Sequence, residues 1–179
     1  ARARGVSAPP AIAGVLWDTM FASQLQPTRR ELLDAALLAR GTDLEPLLSA
    51  PVVAEVVYGL RLQAARAPEF ATLAVWWEGH IAAGGEFRVL LPSRHTLIVA
   101  ARARALQPAS PAKPAGRESR AKPERRVSWV RDIELGAIAA THGLPLATRN
   151  RSDLEPIAGL IARVAPTLPA LVLLDDPLG

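Results

Sequence analysis

The chain has 179 residues, half of them hydrophobic, and no cysteine, which excludes a disulfide framework, a thiol nucleophile and a Cys-based zinc site. Its length suits one domain with a sizeable core, and its longest stretch without a charge, Leu135–Thr148, is shorter than the roughly 18 apolar residues a membrane span needs. The formal net charge of +4 is local. Six basic residues against two acids between Gln107 and Arg126 account for all of it, so the body of the chain is formally neutral.

Residues 1–11 form a lead-in in which Pro9 and Pro10 interrupt any signal-like apolar run, and the expected location is cytoplasmic. The apolar run Ile12–Trp17, ending at Asp18, reads as a buried first strand. Thr28 and Glu31 have capping-box spacing, which predicts a helix from there to Arg40, stopped by Gly41. Leu44–Leu48 reads as a short strand, and Ser49 followed by Pro51 opens a helix that runs to Ala67. A third helix, Glu69–Ala83, ends at Gly84-Gly85. Its adjacent Trp76 and Trp77 cannot both face one core, so one is expected at an interface with a second copy or another partner. Glu86–Leu91 reads as a strand, and Ser93 caps a helix Arg94–Leu106.

Gln107–Arg126 holds four prolines and almost no large apolar residue, so it reads as a mobile basic insertion. Its Lys113, Arg117, Arg120, Lys122, Arg125 and Arg126 are candidates for recruiting RNA phosphates, or simply a solvated loop. Ser128 is expected to cap a helix Trp129–His142 ended by Gly143. Leu144–Thr148 reads as a strand, Leu154–Ile161 as a short helix and Ala170–Leu174 as a last strand. Strands alternating with helices predict an α/β fold with a central parallel sheet flanked by helices, and residues 12–179 as a single domain.

Four acids stand out. Asp18 follows the first strand and could be an N-cap; Asp132 sits at the expected start of its helix, where the macrodipole favours a negative charge; Asp153 could cap the helix after it. Glu55 lies among Val52, Val53, Val56, Val57 and Tyr58, where an unpaired carboxylate is costly. It needs a cation such as Arg61, a metal, or a place at the rim of a cleft. Jointly the four have a common explanation: ligands of an open parallel sheet bind beyond the carboxyl ends of its strands. Carboxylates gathered there repel unless a divalent cation holds them, and hard oxygen donors point to Mg²⁺ or Mn²⁺. Such ions activate water and neutralise a phosphodiester. Thr19 is placed to orient Asp18 or a water, and Thr148, Arg149 and Asn150 form a polar strand end suited to phosphate, with Arg149 as charged donor. None of the three histidines has metal-ligand or triad spacing.

Taken together these segments resemble the PIN-domain nucleases, and within them the VapC toxins of bacterial toxin–antitoxin pairs. GVLWDTMFASQL resembles the family's first strand and Asp-Thr pair, and LSAPVVAEVVYGL its second acidic motif. RDIELGAIAATHGLPLATRNRSDLEPI resembles the third and fourth acid regions, while FRVLLPSRHTLIVAARARA is compatible with the stretch between. The resemblance implies a PIN-like α/β/α sandwich, Mg²⁺ or Mn²⁺ held by Asp18, Glu55, Asp132 and Asp153, cleavage of RNA, a homodimer and a VapB-like antitoxin. Three features depart from the pattern: Met20 stands where the family usually has Asn or Ser, the insertion is long, and Glu134 is an additional acid that could act as an outer ligand. Met20 keeps open a second reading, a PIN-fold scaffold that binds RNA or a partner with little or no catalysis. A phosphatase using an aspartyl nucleophile fits less well, because the second Asp it needs two residues after Asp18 is Met20.

Overall fold

The computed structural model describes residues 12–82, 85–109 and 122–178, except for the side chains of 122–126. Five short strands form one sheet: β1 (Val15–Trp17), β2 (Pro46–Ser49), β3 (Arg88–Leu90), β4 (Leu146–Ala147) and β5 (Leu173–Leu174). All neighbours are parallel, in the order β3-β2-β1-β4-β5. Among the described residues seven helices flank it: α1 (Thr19–Ala22), α2 (Arg30–Leu38), α3 (Ala50–Ala64), α4 (Glu69–Ile81), α5 (Arg94–Leu106), α6 (Lys122–His142) and α7 (Arg151–Val164). This is the α/β/α sandwich expected from the alternation of strands and helices.

The central strands read as continuous apolar runs because both of their faces are covered. Val15, Leu16, Trp17, Leu47, Leu48, Leu146 and Ala147 are all buried. Gly14 (φ +136°) lets β1 enter this layer: a Cβ there would meet the Glu45 carbonyl oxygen at 2.6 Å. Gly143 (φ +68°) ends α6 in the left-handed conformation that favours glycine, as its position predicts.

Several local expectations change. Thr28 does not cap α2, which starts at Arg30 without a side-chain cap. Ser49 occupies the cap position of α3 but makes no cap hydrogen bond, since Pro51 in the first turn offers no N–H. The largest change concerns α6. It begins at Lys122, inside the segment expected to be a mobile insertion, so Ser128 lies within the helix instead of capping it. Helix formation is cooperative, so the turns ordered by buried Trp129 and Ile133 favour its extension toward Lys122. Lys122, Arg125 and Arg126 thus belong to α6, while Lys113, Arg117 and Arg120 lie outside the described residues, as does the 1–11 lead-in. The helix expected at Leu154–Ile161 is longer, Arg151–Val164, and contains Pro156. Burial of Leu154, Ile157, Leu160 and Ile161 offsets the bond that proline removes. Of the paired tryptophans, Trp77 is fully buried; Trp76 is half-buried, its ring 3.9 Å from that of His80. Among the described residues no helix is long and apolar enough to cross a membrane.

The strand order places the site. The chain leaves β1 for β2 and β3 on one side, then returns to the other side of β1 for β4 and β5. The carboxyl ends of β1 and β4 therefore flank a topological switch point, where their onward connections diverge and leave a crevice.

Candidate active site

A cleft of about 250 Å³ opens at that switch point, lined by Asp18, Thr19, Met20, Pro51, Val52, Glu55, Ser128, Arg131, Asp132, Leu135, Asn150 and Leu154. Three of the four predicted acids reach it from three different elements. Asp153 is not in its lining, yet its charge acts on Asp132.

Asp18 follows β1 directly. Its Oδ1 accepts from the Met20 and Phe21 amides (2.9 and 3.2 Å), so it does cap the four-residue α1. Its Oδ2 accepts the Thr148 hydroxyl from the end of β4, which ties the two switch-point strands together. Capping and lining the cleft are compatible roles, because the cap uses one carboxylate oxygen. Burial nevertheless raises its pKa, against the lowering effect of those donors.

Asp132 is the most perturbed group. Burial, then the charges of Asp153, Glu55 and Asp18, push its pKa from 3.8 up to about 6; only a weak contact from the Ser128 hydroxyl (3.4 Å) opposes them. Because α6 starts ten residues before it, the macrodipole of the first turn does not explain this acid. It enters the cleft from the body of a long helix.

Glu55 lies at the rim, its side chain 44% exposed, which resolves how a carboxylate sits on an apolar helix. The Thr19 hydroxyl donates to its Oε2 (2.8 Å), so Thr19 orients Glu55 and not Asp18. Arg61, the cation expected as its structural partner, instead makes a two-pronged pair with Glu78 (2.9 and 2.6 Å). The guanidinium nearest Glu55 is that of Arg131, at 3.7 Å. Asp153, in the first turn of α7, accepts from the Asn150 side-chain amide (2.8 Å), and the Asn150 backbone amide donates to Thr148 (2.9 Å). The polar strand end therefore serves to position carboxylates. Arg149 is exposed outside the cleft with its guanidinium 5.1 Å from the Phe21 ring centre, and Glu134 is also absent from the lining.

Reasoning from sequence missed Arg131 and Ser128. Ser128 sits four residues before Asp132, one helical turn, a spacing that would have paired them had the helix start been read correctly. Arg131 is the residue next to the acid, and only the packing of α6 across α3 shows that it points to Glu55.

The carboxylate donors of the lining suit a hard divalent cation, and the charges of Glu55, Asp18 and Asp153 act on Asp132 beside it. Among the described residues no three such side chains stand close enough to form a finished metal cage.

No family model matches the chain, and no curated protein matches it in sequence. Solved structures do match. One is a chain of FitAB bound to an IR36 DNA fragment (21% identity, TM-score 0.54, 92% of this chain and 96% of that one). A second is from FitAcB of Neisseria gonorrhoeae (18%, TM-score 0.54, 91% and 97%). A third belongs to DNA-bound VapBC of Salmonella typhimurium (15%, TM-score 0.54, 91% and 98%). Near-complete coverage on both sides shows that this chain shares one whole fold with them, the PIN-like α/β/α sandwich that its motifs resemble.

Proposed function

We propose that the chain is a Mg²⁺- or Mn²⁺-dependent endoribonuclease, the toxin of a VapBC-type toxin–antitoxin pair that acts in the cytoplasm. The observation that carries this reading is the convergence of Asp18, Glu55 and Asp132 on one cleft, with Asp153 coupled to Asp132 by charge. The charges of Asp153, Glu55 and Asp18 add to burial in raising the proton affinity of Asp132, which supports a site that takes up positive charge.

When bound, a divalent ion supplies the charge that activates water and offsets the phosphate during in-line attack. Asp18 and Asp132 would hold it, with Glu55 and Asp153 completing the site. Thr148 and the α1 amides keep Asp18 from rotating, Thr19 does the same for Glu55, and Asn150 for Asp153. Leu135, Leu154 and Val52 form the apolar walls. A second groove of about 270 Å³ meets the cleft at Thr19 and Glu55, and its Val56, Leu60, Phe70 and Leu73 offer an apolar seat for an antitoxin segment. The matched structures, FitAB and VapBC, are themselves two-component complexes, which supports a protein partner. A homodimer is part of the same proposal, with half-buried Trp76 as a candidate contact.

The test is cleavage of pooled cellular RNA by the purified chain with Mg²⁺, Mn²⁺ or EDTA, beside Asp132→Asn. Discrete fragments that require metal and disappear in the variant are expected; absence of both cleavage and Mn²⁺ binding in a folded protein sinks the reading. The second reading, a PIN-fold scaffold that binds RNA or a partner, draws on two observations. The carboxylates form no finished cage, and Met20, 49% exposed, puts an apolar side chain in the cleft lining.

A further inference from the structure

Among the described residues Arg131 is the one arginine in the lining of the cleft, and its setting differs from that of the arginines that serve structure. Arg61 and Arg151 each grip a carboxylate through a hydrogen bond of 2.9 Å or less. Arg131 approaches Glu55 Oε1 only to 3.7 Å, and among the described residues its guanidinium makes no hydrogen bond. Both side chains are more than 40% exposed. A loose, solvated pair of this kind contributes little to stability, so it breaks easily. It nevertheless spans the cleft, from α6 to α3, and puts a positive charge beside an acid of the candidate metal set.

We infer that Arg131 is a resident counter-cation that competes with a divalent metal for Glu55 and, once displaced, grips a phosphate of the substrate. This rests on the nuclease reading and assigns a positioning role within it. The cluster of acids needs compensation at all times. With no metal, the Arg131 guanidinium supplies part of it at Glu55; when a metal takes Glu55, the fork is left at the cleft wall with its donors unfilled. Its planar array of N–H groups matches two phosphate oxygens, which a lysine cannot do. The same side chain therefore weakens metal binding in the resting protein and favours it once RNA is present to receive the guanidinium.

The test compares the full-length protein with Arg131→Ala and Arg131→Lys. Mn²⁺ affinity is read from the free-ion EPR signal without RNA, and KM and kcat are read on a single-stranded RNA. Removing a unit charge next to the site is expected to tighten Mn²⁺ binding about three- to tenfold in Arg131→Ala, with Arg131→Lys close to wild type. The RNA KM is expected to rise in both variants, more than kcat falls, because lysine keeps the charge but loses the fork. Equal Mn²⁺ affinity in wild type and Arg131→Ala overturns the competition, and an unchanged KM overturns the phosphate grip; in either case the nuclease reading stands. If the metal shift appears but no protein cuts RNA, Arg131 is a counter-cation and the nuclease reading fails alone. If neither wild type nor Arg131→Ala binds Mn²⁺, both fall.

Discussion

Two polar clusters are built into this molecule, and they treat their buried groups in opposite ways. Where α5 meets α6, Ser93 and Thr96 exchange backbone and hydroxyl hydrogen bonds, Thr96 reaches Thr141 (2.8 Å), and Thr141 donates to the Ala137 carbonyl (2.7 Å). All three hydroxyls have partners and none carries charge. In the cleft, by contrast, burial and neighbouring carboxylates raise the pKa values of Asp18 and Asp132. The first cluster spends its polarity on joining two helices. The second keeps an electrostatic deficit that a ligand can fill, and that difference separates a structural polar network from a functional one.

The largest effect that would break this comparison is on activity. Asp132→Asn is expected to lower RNA cleavage by about a thousandfold or more, while Thr96→Val leaves kcat within about threefold; similar losses in a single-turnover assay would mean that the clusters do not divide the work.

Stability should run the other way. Thr96→Val leaves the Thr141 and Ser93 hydroxyls short of a partner and is expected to cost about 1–3 kcal/mol in urea unfolding, with little dependence on pH. Asp132→Asn should behave differently in EDTA. The folded pKa of about 6 exceeds the ordinary 3.8, so the folded state binds the proton more tightly than the unfolded chain. That contribution is fully present below about pH 4 and is lost as pH rises to about 6, a penalty of about 3 kcal/mol at pH 8. Asp132→Asn is therefore expected to be more stable than wild type at pH 8 and to lose that advantage at pH 4. A pH-independent difference would show that Asp132 is not electrostatically burdened.

Metal should reverse the penalty. At about 100 times its Kd, Mn²⁺ is expected to stabilise the wild type by about 2.7 kcal/mol in a thermal melt at pH 7.5. The shift should persist in Thr96→Val and shrink in Asp132→Asn. Equal shifts in all three proteins would place the ion elsewhere.

The smallest effect concerns the basic segment. Removing residues 110–121, short of the start of α6, takes away Lys113, Arg117 and Arg120. If they contact RNA, the slope of log K against log salt should flatten by up to about 2 units for single-stranded RNA. An unchanged slope assigns recruitment to other residues.

Much of this was legible in the sequence because it depends on local chemistry. Continuous apolar runs such as Val15–Trp17 mark strands covered on both faces, and Ser93 marks a helix start that the structure reproduces to the residue. That Asp18 follows a strand and Glu55 lies early in a helix was readable from the chain, whereas Asp132, expected at a helix start, lines the cleft from the body of α6. Other features came only with the tertiary structure, because they depend on which surfaces meet. The start of α6 seven residues before its expected position, the pairing of Arg131 instead of Arg61 with Glu55, and the stacking of Arg149 on Phe21 follow from helix packing that spacing does not encode. Composition and periodicity determined which residues are apolar and which elements form; the order β3-β2-β1-β4-β5 decided which acids share a cleft and how strongly their charges act on one another. Electrostatic coupling depends on distance through space and on burial, and the chain acquires both only when it folds.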